Sequence, residues 1–201
     1  MKRQPLVFFL LLLLTAAPAL GQAAFESERV GHGGFIGPVF KASTMNDETA
    51  QLLGFRGGWI LNLEGGHSFV LGGGAYGVMN DVNARGVIVD GDDVHLGLDY
   101  AGIELGYRHR TLRWVHFSVQ TLIGAGGVDY RDVGDAFSDD DSGDGFFVLE
   151  PGVSMTLNVL RFARLGGGVS YRYINGVRLL GATNEDLSDV SWEVSLQLGR
   201  F

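Results

Sequence analysis

His116-Phe117-Ser118 is the pair in this chain best suited by residue type to covalent chemistry. An H-x-S spacing on a β-strand sets both side chains on one face. A His base beside a Ser nucleophile would suit ester hydrolysis. The same spacing also describes two polar residues filling an interior together with Gln120, which shares their parity. A second constellation is Asp140-Asp141-Ser142-Gly143-Asp144-Gly145. Oxygen ligands at Asp140, Ser142 and Asp144, with a glycine for the sharp turn, are what the opening of a calcium loop needs. The twelfth position of that loop is Pro151 rather than Glu, so this is not an EF-hand. A solvated acidic loop is the competing reading, and Asp90-Gly91-Asp92-Asp93 is read the same way. No other cofactor is expected. The third set is charged: Arg56, Glu104, Arg108, Glu150, Arg172 and Glu193. Charges taken from water must pair, so these six are expected to form a network, either a structural plug or a gated proton or ion path.

The segments that must position these residues are best seen at the C-terminus. In VSWEVSLQLGRF, Val190, Trp192, Val194, Leu196 and Leu198 alternate with Ser191, Glu193, Ser195 and Gln197. Period-2 alternation of this kind marks a strand with one apolar face. Eight such segments are expected, at about Gly34–Ser43, Ala50–Leu61, Ser68–Met79, Leu96–Arg108, Trp114–Tyr130, Phe146–Asn158, Leu165–Asn175 and Val190–Phe201. In the second, Leu53, Phe55, Trp59 and Leu61 oppose Arg56 and Asn62; in the fourth, Ile103, Leu105 and Tyr107 oppose Tyr100, Glu104 and Arg108. The sixth sets Phe147, Val153 and Met155 against Glu150, Ser154 and Thr156, and the seventh sets Tyr171 and Tyr173 against Arg172. Each of these four segments thus has one continuous apolar face and one face that carries charge, whereas the first and third segments alternate less cleanly.

Short links near Glu64–His67, His109–Arg113 and Val159–Arg164 alternate with longer, Asp-rich ones at Asp81–His95, Arg131–Gly145 and Gly176–Asp189. That rhythm predicts up-and-down hairpins with tight turns at one end and loops at the other. The glycine runs at Gly72–Gly74 and Gly166–Gly168 are followed by no helix and so are not phosphate loops. They echo each other in two hairpins that also share Leu-Asn before a short turn. Pro38 and Pro151 remove ladder donors inside strands, and bulges are expected there. Phe201 lies out of phase with Leu198, Leu196 and Val194, and a bulge at Gly199 would restore it to their face.

Export follows from the N-terminus. Lys2 and Arg3, an apolar run from Leu6 to Leu14 and small residues near Ala19–Ala23 make a secretory signal peptide over residues 1–23. Residues 24–201 then form a single domain. Loss of Lys2 and Arg3 takes the formal charge from −8 to −10, which argues against nucleic acid as a partner. The absence of cysteine excludes disulfides and thiolate metal sites. The 32 glycines disfavour helix.

With signal, hairpin rhythm and final strand together, residues 24–201 resemble the small eight-stranded outer-membrane β-barrels of Gram-negative bacteria. The resemblance implies an all-β, antiparallel up-and-down transmembrane barrel with its apolar faces toward lipid, its charged faces inside and acidic loops outside the cell. It implies a cell-envelope, porin-like monomer whose partners are outer-membrane lipid and, through the C-terminal strand, the barrel-assembly machinery. The class includes structural and tethering proteins, adhesion and defence barrels, narrow channels and lipid A-modifying enzymes. A non-enzymatic protein of structural or surface-interaction type is the first expectation. An outer-membrane hydrolase or acyltransferase is the second. In the lipid A deacylases of this class an H-x-S pair is catalytic, but the Asn that follows the Ser there is Val119 here. A soluble periplasmic lipocalin-like barrel, with the apolar faces inside around a ligand, is the third. Counting residues from the turns, the first reading sets Arg172 between Glu150 and Glu193.

Overall fold

The computed structural model describes residues 31–89, 92–110, 114–131 and 143–201. The signal peptide, Asp90-Gly91 and the Asp140 to Ser142 part of the candidate calcium loop lie outside them. Among the described residues there are nine strands: β1 (Gly31–Met45), β2 (Glu48–Asn62), β3 (His67–Val78), β4 (Asn83–Val89), β5 (Asp92–Arg110), β6 (Val115–Arg131), β7 (Gly143–Leu160), β8 (Ala163–Asn175) and β9 (Asp189–Arg200). One short helix, α1 (Asn184–Leu187), lies between β8 and β9. Eight strands run antiparallel in the order β3-β2-β1-β9-β8-β7-β6-β5, and β3 pairs with β5 to close the cylinder. Closure leaves no edge along the wall. The ninth strand, β4, pairs only with the upper end of β5, at Asn83↔His95, Ile88↔Asp93 and Val89↔Asp92. The alternation rule does not anticipate β4 or α1, because both sit inside loops rich in Asp, Asn and Gly.

The burial pattern follows parity along most of the wall. On β9, Ser191, Glu193, Ser195 and Gln197 are buried while Val190, Trp192, Val194, Leu196 and Leu198 are exposed. Phe55, Phe69, Leu71, Ile103, Val119, Val153 and Tyr171 continue this exposed apolar band around the other strands. The arrangement is the inverse of a lipocalin: apolar side chains face out and the charged ones face the axis. A band of this kind is what hydrocarbon requires of a barrel that crosses a bilayer.

The prolines do not produce bulges. Pro38 stays in register opposite Phe55, and the β1–β9 ladder keeps the same register on either side of the Gly37-Pro38 gap. Pro151 stays in register opposite Thr121, and the β7–β8 ladder resumes unchanged at Gly152↔Ser170. Each proline therefore costs a rung on one side only. Nor is there a bulge at Gly199, which pairs in continuous register with Phe35. Phe201 consequently keeps its inward parity and packs against Phe35, Ile60 and Val70 at the lower end of the lumen.

The upper lumen is apolar. Leu52, Leu96, Leu98, Val128, Val148 and Ile174 are all buried there with Met45, Tyr76, Tyr100, Phe146 and the α1 residue Leu187. The loop carrying α1 caps this core. Thr183 and Asp186 form a reciprocal capping box that starts the helix. The β1–β2 turn uses Asn46 and Asp47 with φ of 51° and 66°, the left-handed pair of a two-residue hairpin. Asn46 then donates from Nδ2 to the carbonyls of Asn83 (2.8 Å) and Gly181 (2.9 Å), tying the turn to β4 and to the α1 loop.

Candidate functional site

The charged residues meet in the middle of the lumen, beneath this apolar core. Inward parity on β2 brings Arg56 to the axis, where its Nη1 and Nη2 donate to both oxygens of Glu193 at 3.1 and 3.0 Å. Its Nε lies 2.8 Å from Glu104 Oε2 on β5. One planar guanidinium thus serves two carboxylates from opposite sides, which its fixed fork of donors permits. Gln120 on β6 donates to Glu193 Oε1 at 3.2 Å and accepts from Ser154 at 3.1 Å.

A second cluster centres on Glu150. It accepts from Lys41 Nζ at 2.7 Å, Tyr100 Oη at 2.9 Å and Ser170 Oγ at 2.6 Å. Lys41 Nζ also lies 3.6 Å from the centroid of the Tyr76 ring, a cation–π contact strengthened by burial. Glycine makes room for that ring. A Cβ on Gly54, the cross-strand partner of Tyr76, would stand 2.4 Å from Tyr76 Cδ1. Four strands therefore converge on one carboxylate, and its lone pairs are well used.

Arg172 makes no ion pair with either cluster, against the expected pairing. The β7–β8 rungs Leu149↔Tyr173 and Gly152↔Ser170 bracket Glu150 and Arg172 at one height, as residue counting required. The side chains nevertheless diverge. Arg172 Nε donates upward to the Leu187 carbonyl at 2.9 Å and Nη2 to Ser43 Oγ at 3.3 Å. No ion pair joins it to Glu150 or Glu193. Glu193 faces Gly168 on β8, four positions below Arg172, and Lys41 has taken Glu150. Arg172 ties the barrel wall to the α1 loop instead.

Arg108 is buried, with Nε donating to Ser118 Oγ at 3.2 Å and Nη2 to Gln197 Oε1 at 3.3 Å. Ser118 is thus an acceptor for an arginine. His116 is buried with its Nε2 3.2 Å from Asn158 Oδ1. Both side chains face the lumen, away from the surface where a lipid ester would lie. Of the calcium candidates, Asp144 is described: it accepts from the backbone N–H groups of Gly145 and Arg178. Among the described residues, no three His, Cys, Asp or Glu side chains are grouped to hold a metal ion.

Lys41, Tyr76, Ser170, Gln197 and Arg164 belong to the interior and were not anticipated as site residues. Parity would have found Lys41, because it shares a face with Phe35 and Val39. Its neighbours on that face, apolar and small, disguise it as part of an apolar stripe.

No protein-family model matches the chain, and no curated protein matches it. Solved structures do. Ail, the attachment invasion locus protein of Yersinia pestis, aligns with a TM-score of 0.53 at 11% identity, covering 86% of this chain and 99% of Ail. Neisserial surface protein A aligns with a TM-score of 0.55 at 15% identity, with the same coverages of 86% and 99%. At such identities the likeness is one of fold. Together with the closed wall, the outward apolar band and the charged interior, it makes the fold of this chain that of the small eight-stranded outer-membrane β-barrels.

Proposed function

We propose that this chain is a non-conducting outer-membrane protein that acts at its outer surface, by contact with molecules outside the cell. The observation that supports this best is the double closure of its lumen. A packed apolar layer capped by α1 lies above a layer of buried ion pairs, so side chains fill the upper and middle lumen. What remains available is the rim. It displays Asp47, Asp81, Asp93, Asp99 and Glu185, and it is fastened by Asn46, Arg85 and the capping box into one platform. The likeness to an attachment protein and to a surface protein points the same way. Outer-membrane lipid would surround the apolar band of the monomer, and the assembly machinery would engage β9. The enzymatic alternative is weakened by the partners of His116 and Ser118, which position them as lumen filling.

Two measurements test the proposal. In planar bilayers the purified barrel should give no conductance steps. Cells displaying it should adhere to matrix-coated surfaces more than cells lacking it. Regular conductance from the wild type, or adherence that does not depend on the barrel, would defeat the reading.

A further inference from the structure

The interior charges do not cancel, and two of the three cations that make no ion pair lie together at the lower end. Among the described residues, Lys41, Arg56, Arg108, Arg164 and Arg172 are buried cations, while Glu104, Glu150 and Glu193 are the buried carboxylates. All three carboxylates are engaged by Lys41 and Arg56 in the middle of the barrel. Arg172, at the upper end, is held by a carbonyl and a hydroxyl. Arg108 and Arg164, at the lower end, make no ion pair, and the hydrogen-bond partners of Arg108 are the neutral Ser118 and Gln197.

These two arginines are close to each other. Gln197 accepts from Arg108 and is the cross-strand partner of Arg164. The Arg108 guanidinium lies 5.8 Å from the Phe35 ring, and that of Arg164 lies 3.8 Å from the ring of Phe201, which packs on Phe35. Arg108 Nη1 and Arg164 Nε are both buried without a hydrogen-bond partner. Two like charges in a medium of low dielectric repel strongly, and an orphaned charged donor is costly. A small cavity adjoins Arg108, lined also by Phe35, Arg56, Glu104, Ser118 and Gln197 among others. It has space for about one water-sized particle. The single carboxylate on its wall, Glu104, is ion-paired with Arg56, which Glu193 shares.

We propose that the lower lumen contains a binding site for a halide-sized anion, held by Arg108 with the charge of Arg164 behind it. A phosphate or sulfate exceeds the space. The anion would satisfy the free Arg108 donor and relieve the repulsion between the two guanidiniums, so it would act as a structural ion. This site does not depend on whether the barrel conducts or adheres.

The test uses the purified, folded mature barrel in detergent. Its melting temperature should be several degrees higher in sodium chloride than in sodium gluconate at equal ionic strength, and the difference should saturate with chloride. Arg108→Gln should remove the difference, and Arg85→Gln on the rim should keep it. Equal melting in the two salts, or a difference undiminished in Arg108→Gln, overturns the proposal. If Arg108→Gln does not fold, wild-type crystals soaked in bromide decide the matter. An anomalous peak within hydrogen-bonding reach of Arg108 supports the site; bromide found only elsewhere overturns it.

Discussion

At the scale of single residues, the informative position is Glu150, where one carboxylate accepts from three side chains on three other strands. A buried pair contributes little net stability relative to apolar isosteres, but breaking it from one side leaves an uncompensated charge. Lys41→Met should therefore destabilise the barrel by on the order of 3–5 kcal/mol in urea unfolding from lipid vesicles. Adding Glu150→Gln should recover a large part of that loss, because the charge is removed together with its partner. A double variant no more stable than Lys41→Met would show that the pair is not the source of the loss. Arg172 teaches a complementary lesson. Sequence counting placed it at the height of Glu150, and the ladder puts it there, yet its partners are Leu187 and Ser43. Heights in a barrel follow from turns and period. Partner choice depends on which side chains meet at the axis, and there Lys41, on an otherwise small and apolar face, takes Glu150.

The elements divide into those that period and turn chemistry make legible and those that they do not. All eight wall strands follow from alternation, since a one-residue slip would bring charge into the apolar band. β4 and α1 were missed because short elements in polar loops have no periodicity to read. Only the capping pattern Thr183-Asn184-Glu185-Asp186 was available as a signal for α1. Glycines within strands carry a different meaning, close approach. A Cβ on Gly37 would stand 1.6 Å from the Leu196 carbonyl oxygen, beside the missing rung at Pro38. Gly37→Ala should thus disrupt the pairing of β1 with β9, the first and last strands of the wall. It is expected to lower the yield of folded, heat-modifiable protein sharply, whereas Gly145→Ala, whose Cβ comes no closer than 3.9 Å to other atoms, should not. The α1 loop is anchored by buried Leu187 and by Arg172. Leu187→Asp should release the loop while leaving the wall intact, read as new protease cleavage within residues 176–188 on whole cells. Cleavage unchanged from the wild type would mean that Leu187 does not hold the cap.

At the scale of the whole molecule, the barrel is built for two surroundings at once, and one strand passes through both. The upper part of β5 turns Leu96 and Leu98 into a packed apolar core while its outward positions carry Asp93 and Asp99. That is the pattern of a water-soluble protein. Lower down, the same strand turns Glu104 and Arg108 inward and Ile103 and Leu105 outward, the pattern of a membrane-spanning wall. The apolar positions exchange faces along a single strand, so hydrophobicity alone does not state which way a leucine points. Leu98 is fully buried and Leu105 is 47% exposed, and the same substitution should therefore cost differently at each. Leu98→Ala loses transfer energy and also leaves a cavity that rigid neighbours cannot fill, worth about 2–5 kcal/mol together. Leu105→Ala loses transfer energy alone, because fluid lipid closes over the gap; roughly 1–2 kcal/mol is expected from the buried methylenes removed. Arginine reverses the diagnosis at the lower site: Leu105→Arg, in the hydrocarbon, should cost about 2–4 kcal/mol and impair insertion. Equilibrium unfolding of the three variants in vesicles measures all of this. Equal costs for the two alanine variants would show that the upper lumen is not packed as a core, and the account of the plug would fall with it.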